Sequence, residues 1–102
     1  LTTTDKVHGP IHPGEILREE FLEPLGISVN RLAREIHVPQ SRMAEIVAER
    51  RGISAGTALR LSRFFGMSEG FWSTLQADYD RRCALAEIGD DLETITPLPQ
   101  AG

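Results

Sequence analysis

Cysteine is nearly absent: Cys83 stands alone among 102 residues. That excludes an internal disulfide and points to a reducing compartment, with the cytoplasm as the expected location. Cys83 itself reads as a small helix residue. Aromatics number only six, so Leu, Ile, Val and Ala must do most of the core filling. No apolar run approaches the ~20 residues that span a bilayer. The opening stretch, LTTTDKVHGP, lacks the apolar centre of a secretion signal, so neither membrane nor export is expected. Material for metal or enzyme chemistry is also short. His8, His12 and His37 are scattered, and Gly9 and Pro10 break any regular helix between the first two. There is no Cys/His cluster and no nucleophile motif such as G-x-S-x-G. The expectation is a protein that is not an enzyme and holds no metal or cofactor.

Net positive charge is missing too, at −4 for the whole chain, but its distribution is uneven. Residues 1–27 carry −3, residues 28–63 carry +4 and residues 64–102 carry −5. A basic middle between acidic ends is a local footprint, and the local field governs docking more than the total does. A solvated charged surface would look the same, so charge alone decides nothing without a motif.

What is present suits one small domain. Apolar residues at 40% and charged residues at 25% match a folded globular chain rather than a disordered one. Residues 1–12 read as a flexible N-terminal arm, residues 13–88 as the folded domain and residues 89–102 as an extended or disordered tail. Five helices are expected and no strand. The first begins near Pro13, carries Ile16, Leu17, Phe21 and Leu22 on one stripe, and stops at Pro24 and Gly26. Ser28 caps the second, with Val29, Leu32, Ala33 and Ile36 inward. His37 and Val38 form a short turn, and Pro39 opens the third, with Met43, Ile46 and Val47 inward. Residues 49–54 form a loop. The fourth helix starts at Ser54 or Ala55 and ends at Gly66. Ser68 caps the fifth, whose apolar stripe runs from Phe71 to Ala86 before Gly89 ends it.

Two short amphipathic helices joined by a tight turn, with others packed beside them, match a helix-turn-helix. Ala33 permits close approach, and Ile36, Val38, Met43 and Ile46 fill the wedge. The outward face of the third helix then presents Gln40, Ser41, Arg42, Ala44 and Glu45 to a major groove. Gln suits adenine, Ser suits a donor or an acceptor, and a carboxylate can accept from cytosine. Glu45 can equally pair with Arg42, three residues before it. Phosphate contacts are expected from Ser28, Asn30, Arg31, Arg50 and Arg51. Arg34, Arg60 and Arg63 read as solvated surface arginines. Tyr79, Cys83 and Ala86, late on the fifth helix, run beyond a small core and are expected at a homodimer interface. The alternative is that this stripe folds back on the first helix.

The segments IHPGEILREEFLEPLGIS and NRLAREIHVPQSRMAEIVAERRGISAGTALRLSRFFGMSEGFWSTLQADYD together resemble the HigA, or VapI-type, antitoxins of the Xre/Cro-C1 helix-turn-helix superfamily. The resemblance spans about residues 11–82. HPGEIL in front, with TALRLS and FW..LQ..YD behind, is far more specific than a generic helix-turn-helix. His37 stands where such motifs often have Gly, in a turn that takes a left-handed residue. The resemblance implies an all-α, five-helix, lambda-repressor-like fold and a dimeric repressor. It implies double-stranded operator DNA as one partner and a HigB-like toxin, a ribosome-dependent mRNA endonuclease, as another. The family's base-facing positions correspond to Gln40, Ser41, Ala44 and Glu45. A free-standing transcriptional regulator without a toxin has the same DNA chemistry and remains the alternative.

Overall fold

The structure is a computed structural model describing residues 9–99. Among these residues it contains five helical segments and no strand. The first, α1 (residues 13–25), opens as an α-helical turn at Pro13–Ile16, widens to a π-helix over Leu17–Leu22 and closes with a turn at Glu23–Leu25. His12 caps it, its Nδ1 accepting the Gly14 N–H at 2.8 Å, and Pro13 takes the first-turn position where a missing N–H costs nothing. The helix passes through Pro24 instead of stopping there. In the widened turn the Glu23 N–H reaches back to the Arg18 carbonyl. An α-turn would instead drive the proline ring onto the carbonyl four residues earlier. Gly26, left-handed at φ 66°, ends the segment.

Local chemistry sets most of the remaining ends. Ser28 Oγ accepts the Arg31 N–H at 3.0 Å and starts α2 (Val29–Ile36). His37 ends α2 at φ 62°, left-handed as the turn requires. Pro39 precedes α3 (Gln40–Val47). Ser54 Oγ accepts the Thr57 N–H at 3.3 Å to open α4 (Ala55–Phe65), and Gly66 closes it at φ 68°.

Two expectations for the last helix fail. α5 spans Phe71–Leu92, and Gly70 rather than Ser68 stands at its N-cap, with no side chain capping it. Residues 68–70 are spent on a turn in which the Ser68 carbonyl accepts the Phe71 N–H at 3.2 Å. Gly89 does not end α5 either. One interior glycine costs only about 1 kcal/mol, and the preceding Ala84, Leu85, Ala86 and Glu87 are strong helix formers. The segment beyond the helix therefore begins after Leu92, four residues later than expected.

The core sits where α2 packs on α3 and α4, α1 on α3 and α5, and α4 on α5. Leu17, Leu32, Met43, Ile46, Leu61 and Trp72 are all fully excluded from solvent. Phe21, Phe65 and Phe71 pack around the Trp72 ring at centroid distances of 5.2–6.4 Å, so most of the few aromatics are concentrated in one place. The result is a rigid seat for the α2–turn–α3 unit.

Candidate nucleic-acid interface

The α2–turn–α3 unit is held by the small and aliphatic residues expected of it. Ala33, Ile36, Val38, Met43 and Ile46 are all buried. With those positions turned inward, helical periodicity leaves Gln40, Ser41, Arg42 and Ala44 exposed, and Glu45 half-buried. Amide, hydroxyl and guanidinium groups thus stand on the first turn of a helix whose opposite side is locked into the core. Rigid presentation of hydrogen-bonding groups is what direct base readout requires.

Around that face, Ser28, Asn30, Arg31, Arg50 and Arg51 are exposed. Ser28 spends its Oγ on the Arg31 N–H. Arg31 lies loosely against Glu35 at 3.9 Å. Arg42 and Arg50 make no ion pair among the described residues. Glu45 does not pair with Arg42. It meets Arg51, Nε to Oε1 at 2.7 Å, and that hydrogen bond, with the charge of Arg51 second, holds the Glu45 carboxyl below its ordinary range. The pair ties a base-facing candidate to a phosphate-facing one and places Arg51 against the outer side of α3. Arg60, expected in solvent, donates from Nη1 to the Ile36 carbonyl at 2.9 Å and satisfies the end of α2.

The loop between α3 and α4, which carries Arg50 and Arg51, is held from two directions that residue reading missed. From α1, Arg18 Nη1 donates to the Val47 carbonyl and its Nη2 pairs with Glu49 at 3.1 Å. This steadies a left-handed Glu49 at φ 65°, a conformation that costs a non-glycine residue about 1 kcal/mol or more. From α5, Gln76 Oε1 accepts the Ile53 N–H at 2.8 Å while its Nε2 donates to Asp80 at 2.9 Å. The Arg51 backbone also lies beside the His12 ring, near enough to favour its charged form. His12 is 6% exposed. Burial lowers its pKa, outweighing Glu49, Asp80 and the Arg51 backbone, which raise it. The only available hint was the HPGEIL and LQ..YD signatures, which contain His12 and Gln76.

The three expected dimer residues divide. Tyr79 is engaged within its own chain, its ring edge-on to His12 at 4.9 Å. A hydrogen bond with Cys83, then burial, pushes its phenol pKa up. Cys83 is half-buried and Ala86 exposed. The large apolar side chains left in solvent on α5 are Leu85, Ile88 and Leu92, at 46%, 43% and 40% exposure. Their spacing of three and four puts them on one side of the helix. The stripe therefore begins on the core and ends free of it.

Among the described residues no group of His, Cys, Asp and Glu is placed to hold a metal ion. His12 is a helix cap, and His8 lies outside the described residues, as does most of the N-terminal arm. No described helix is long and apolar enough to cross a membrane.

Residues 18–72 match the family described as helix-turn-helix. The chain is 55% identical to virulence-associated protein I of Dichelobacter nodosus, over 86% of this chain and 81% of that protein. Its fold is similar to that of the Pseudomonas aeruginosa antitoxin HigA solved with the higBA promoter. There the TM-score is 0.84 at 47% identity, covering 88% of this chain and 99% of the other. It is similar as well to an addiction module antidote protein of a HigA family from Coxiella burnetii. That comparison has a TM-score of 0.83 at 44% identity, with 88% and 99% covered.

Proposed function

Because the chain belongs to the HigA group of the helix-turn-helix family, we propose that it is a DNA-binding antitoxin that represses its own operon and neutralises a HigB-like mRNA endonuclease. The observation that carries the DNA reading is the exposed polar first turn of α3 on a fully buried α2–α3 wedge. α3 enters the major groove of double-stranded operator DNA. Gln40, Ser41, Arg42 and Ala44 face bases, and Glu45 does so once Arg51 leaves it for a phosphate. Ser28, Asn30, Arg31, Arg50 and Arg51 line the backbone on either side. The family is not enzymatic, and nothing in this reading calls for a metal or cofactor.

The molecule works as a homodimer. Two α3 helices related by a two-fold axis meet successive major grooves ~34–36 Å apart on a palindromic site. The acidic ends of the sequence suit a small basic toxin by charge complementarity, and the cytoplasm is where both partners act. The test is binding to the DNA upstream of the chain's own gene, with and without the neighbouring gene product. Gln40→Ala should weaken operator binding by ~1–3 kcal/mol and relax preference at one base pair. Unchanged preference in a binding-site selection removes Gln40 from base reading. A neighbouring toxin that keeps full activity in the presence of this protein leaves a free-standing regulator.

A further inference from the structure

The two signatures that flank the helix-turn-helix are separated by more than fifty positions in sequence, yet they meet beneath one loop. His12, from the front, packs its ring on Tyr79, from the back. Gln76 and Asp80, from the same rear signature, are hydrogen-bonded to each other. Above them runs the Arg50–Arg51–Gly52–Ile53 backbone. Gln76 touches it twice over: its Oε1 takes the Ile53 N–H at 2.8 Å, and its amide lies so near Gly52 that a Cβ there would stand 3.0 Å from Nε2. Neither Gln76 nor Asp80 belongs to the DNA-facing surface of α3.

Resting on the DNA-binding reading above, we infer that Gln76 is a positioning residue for DNA binding, the strut through which α5 holds the Arg50–Ile53 loop in the shape that presents Arg50 and Arg51 to phosphates. The geometry supplies each link. Arg51 is already drawn against α3 by Glu45, so the loop borders the reading face. The Ile53 N–H has Gln76 as its hydrogen-bond partner, so it loses that fixed partner if Gln76 is lost. An orphaned amide loosens its segment, and a loosened loop must be ordered again when phosphate binds. Asp80 fixes the amide of Gln76 so that Oε1, not Nε2, faces Ile53.

The experiment measures affinity against salt concentration on two duplexes, the chain's own upstream DNA and a random sequence of equal length. In Gln76→Ala, binding to both should weaken about five- to tenfold, and the salt slope should become shallower by about one unit as a phosphate contact is lost. Exchange of the Ile53 amide hydrogen should accelerate while helix content stays unchanged. Gln76→Glu with Asp80→Asn should restore affinity and slope. The carboxylate then accepts both the Ile53 N–H and the side-chain amide introduced by Asp80→Asn, whereas Gln76→Glu alone faces the Asp80 charge. Weaker binding with an unchanged slope and no rescue marks a general defect of the fold and overturns the inference. So does wild-type affinity and slope in Gln76→Ala. Failure of the wild-type chain to bind either duplex overturns the DNA-binding reading itself, and this inference with it.

Discussion

At Gly14 the backbone of α1 runs directly against the end of α3, and a Cβ there would overlap the Ile46 carbonyl oxygen. Backbone cannot rotate away as a side chain can. Gly14→Ala should therefore cost at least about 2 kcal/mol, read as a lower denaturation midpoint at unchanged m-value. A cost near zero would mean that α1 and α3 can part freely. His12, two residues earlier, supplies a pH dependence. Burial holds its folded pKa below the ordinary 6.5, so the fold favours neutral imidazole, whose Nδ1 lone pair accepts the Gly14 N–H. Above pH 6.5 both folded and unfolded forms are neutral and the stabilisation is intact. It is lost as pH falls from the unfolded value through the folded one. The wild-type melting temperature should fall across that window. His12→Asn, which keeps a capping oxygen but does not titrate, should flatten the drop. Identical pH profiles for the two proteins would remove His12 as the source.

For α3 and the loop after it, the informative quantity is the salt slope of DNA binding. Replacing Arg50 and Arg51 with Ala should weaken specific and random DNA alike and reduce that slope by about one to two units. Glu45→Gln should do the opposite on random DNA. It removes a negative charge from the face and frees the guanidinium that Glu45 now holds at 2.7 Å. If the double arginine variant retains the wild-type slope, the loop does not touch phosphate. The Glu45–Arg51 pair also separates two roles that the residues share: base preference should change in Glu45→Gln, and only overall affinity in Arg51→Ala.

Over the whole molecule, charge and apolar surface are segregated. The +4 of residues 28–63 is spread over the helix-turn-helix, the loop after it and α4, and the −5 of residues 64–102 lies mainly on α5 and beyond. On α5 the exposed Leu85, Ile88 and Leu92 continue past the core, and a second copy of the same helix would cover them. Leu85→Asp with Ile88→Asp should give a monomer mass by light scattering at micromolar concentration, where the wild-type chain gives a dimer. Operator affinity should fall because one α3 then acts alone, and helix content should persist because neither side chain belongs to the buried core. A wild-type monomer would refute the dimer. Tyr79→Ala is a poorer probe of assembly, since Tyr79 supports His12 within its own chain.

The helices, most of their ends and the exposed polar face of α3 were legible in the amino-acid sequence because their causes are local. Apolar residues three and four apart define an inward stripe, Ser28 and Ser54 cap within three residues, and Gly26 and Gly66 accept a left-handed turn. Burial of Met43 and Ile46 then leaves Gln40 and Ser41 no direction but outward. Isolated breakers were less informative. Pro24, Ser68 and Gly89 each carry a preference of a few kcal/mol at most, and a widened turn, a preceding turn or strong neighbours outweighed them. Only tertiary structure decided the partners of the long polar side chains. Arg18 reaches Val47 and Glu49, Gln76 reaches Ile53, and Glu45 takes Arg51 rather than Arg42. The Arg18 and Gln76 contacts reach from one helix to a distant element, and the Glu45 contact follows the path of the loop after α3. Whether a guanidinium or an amide meets a carbonyl there depends on how the helices cross, which no local periodicity encodes.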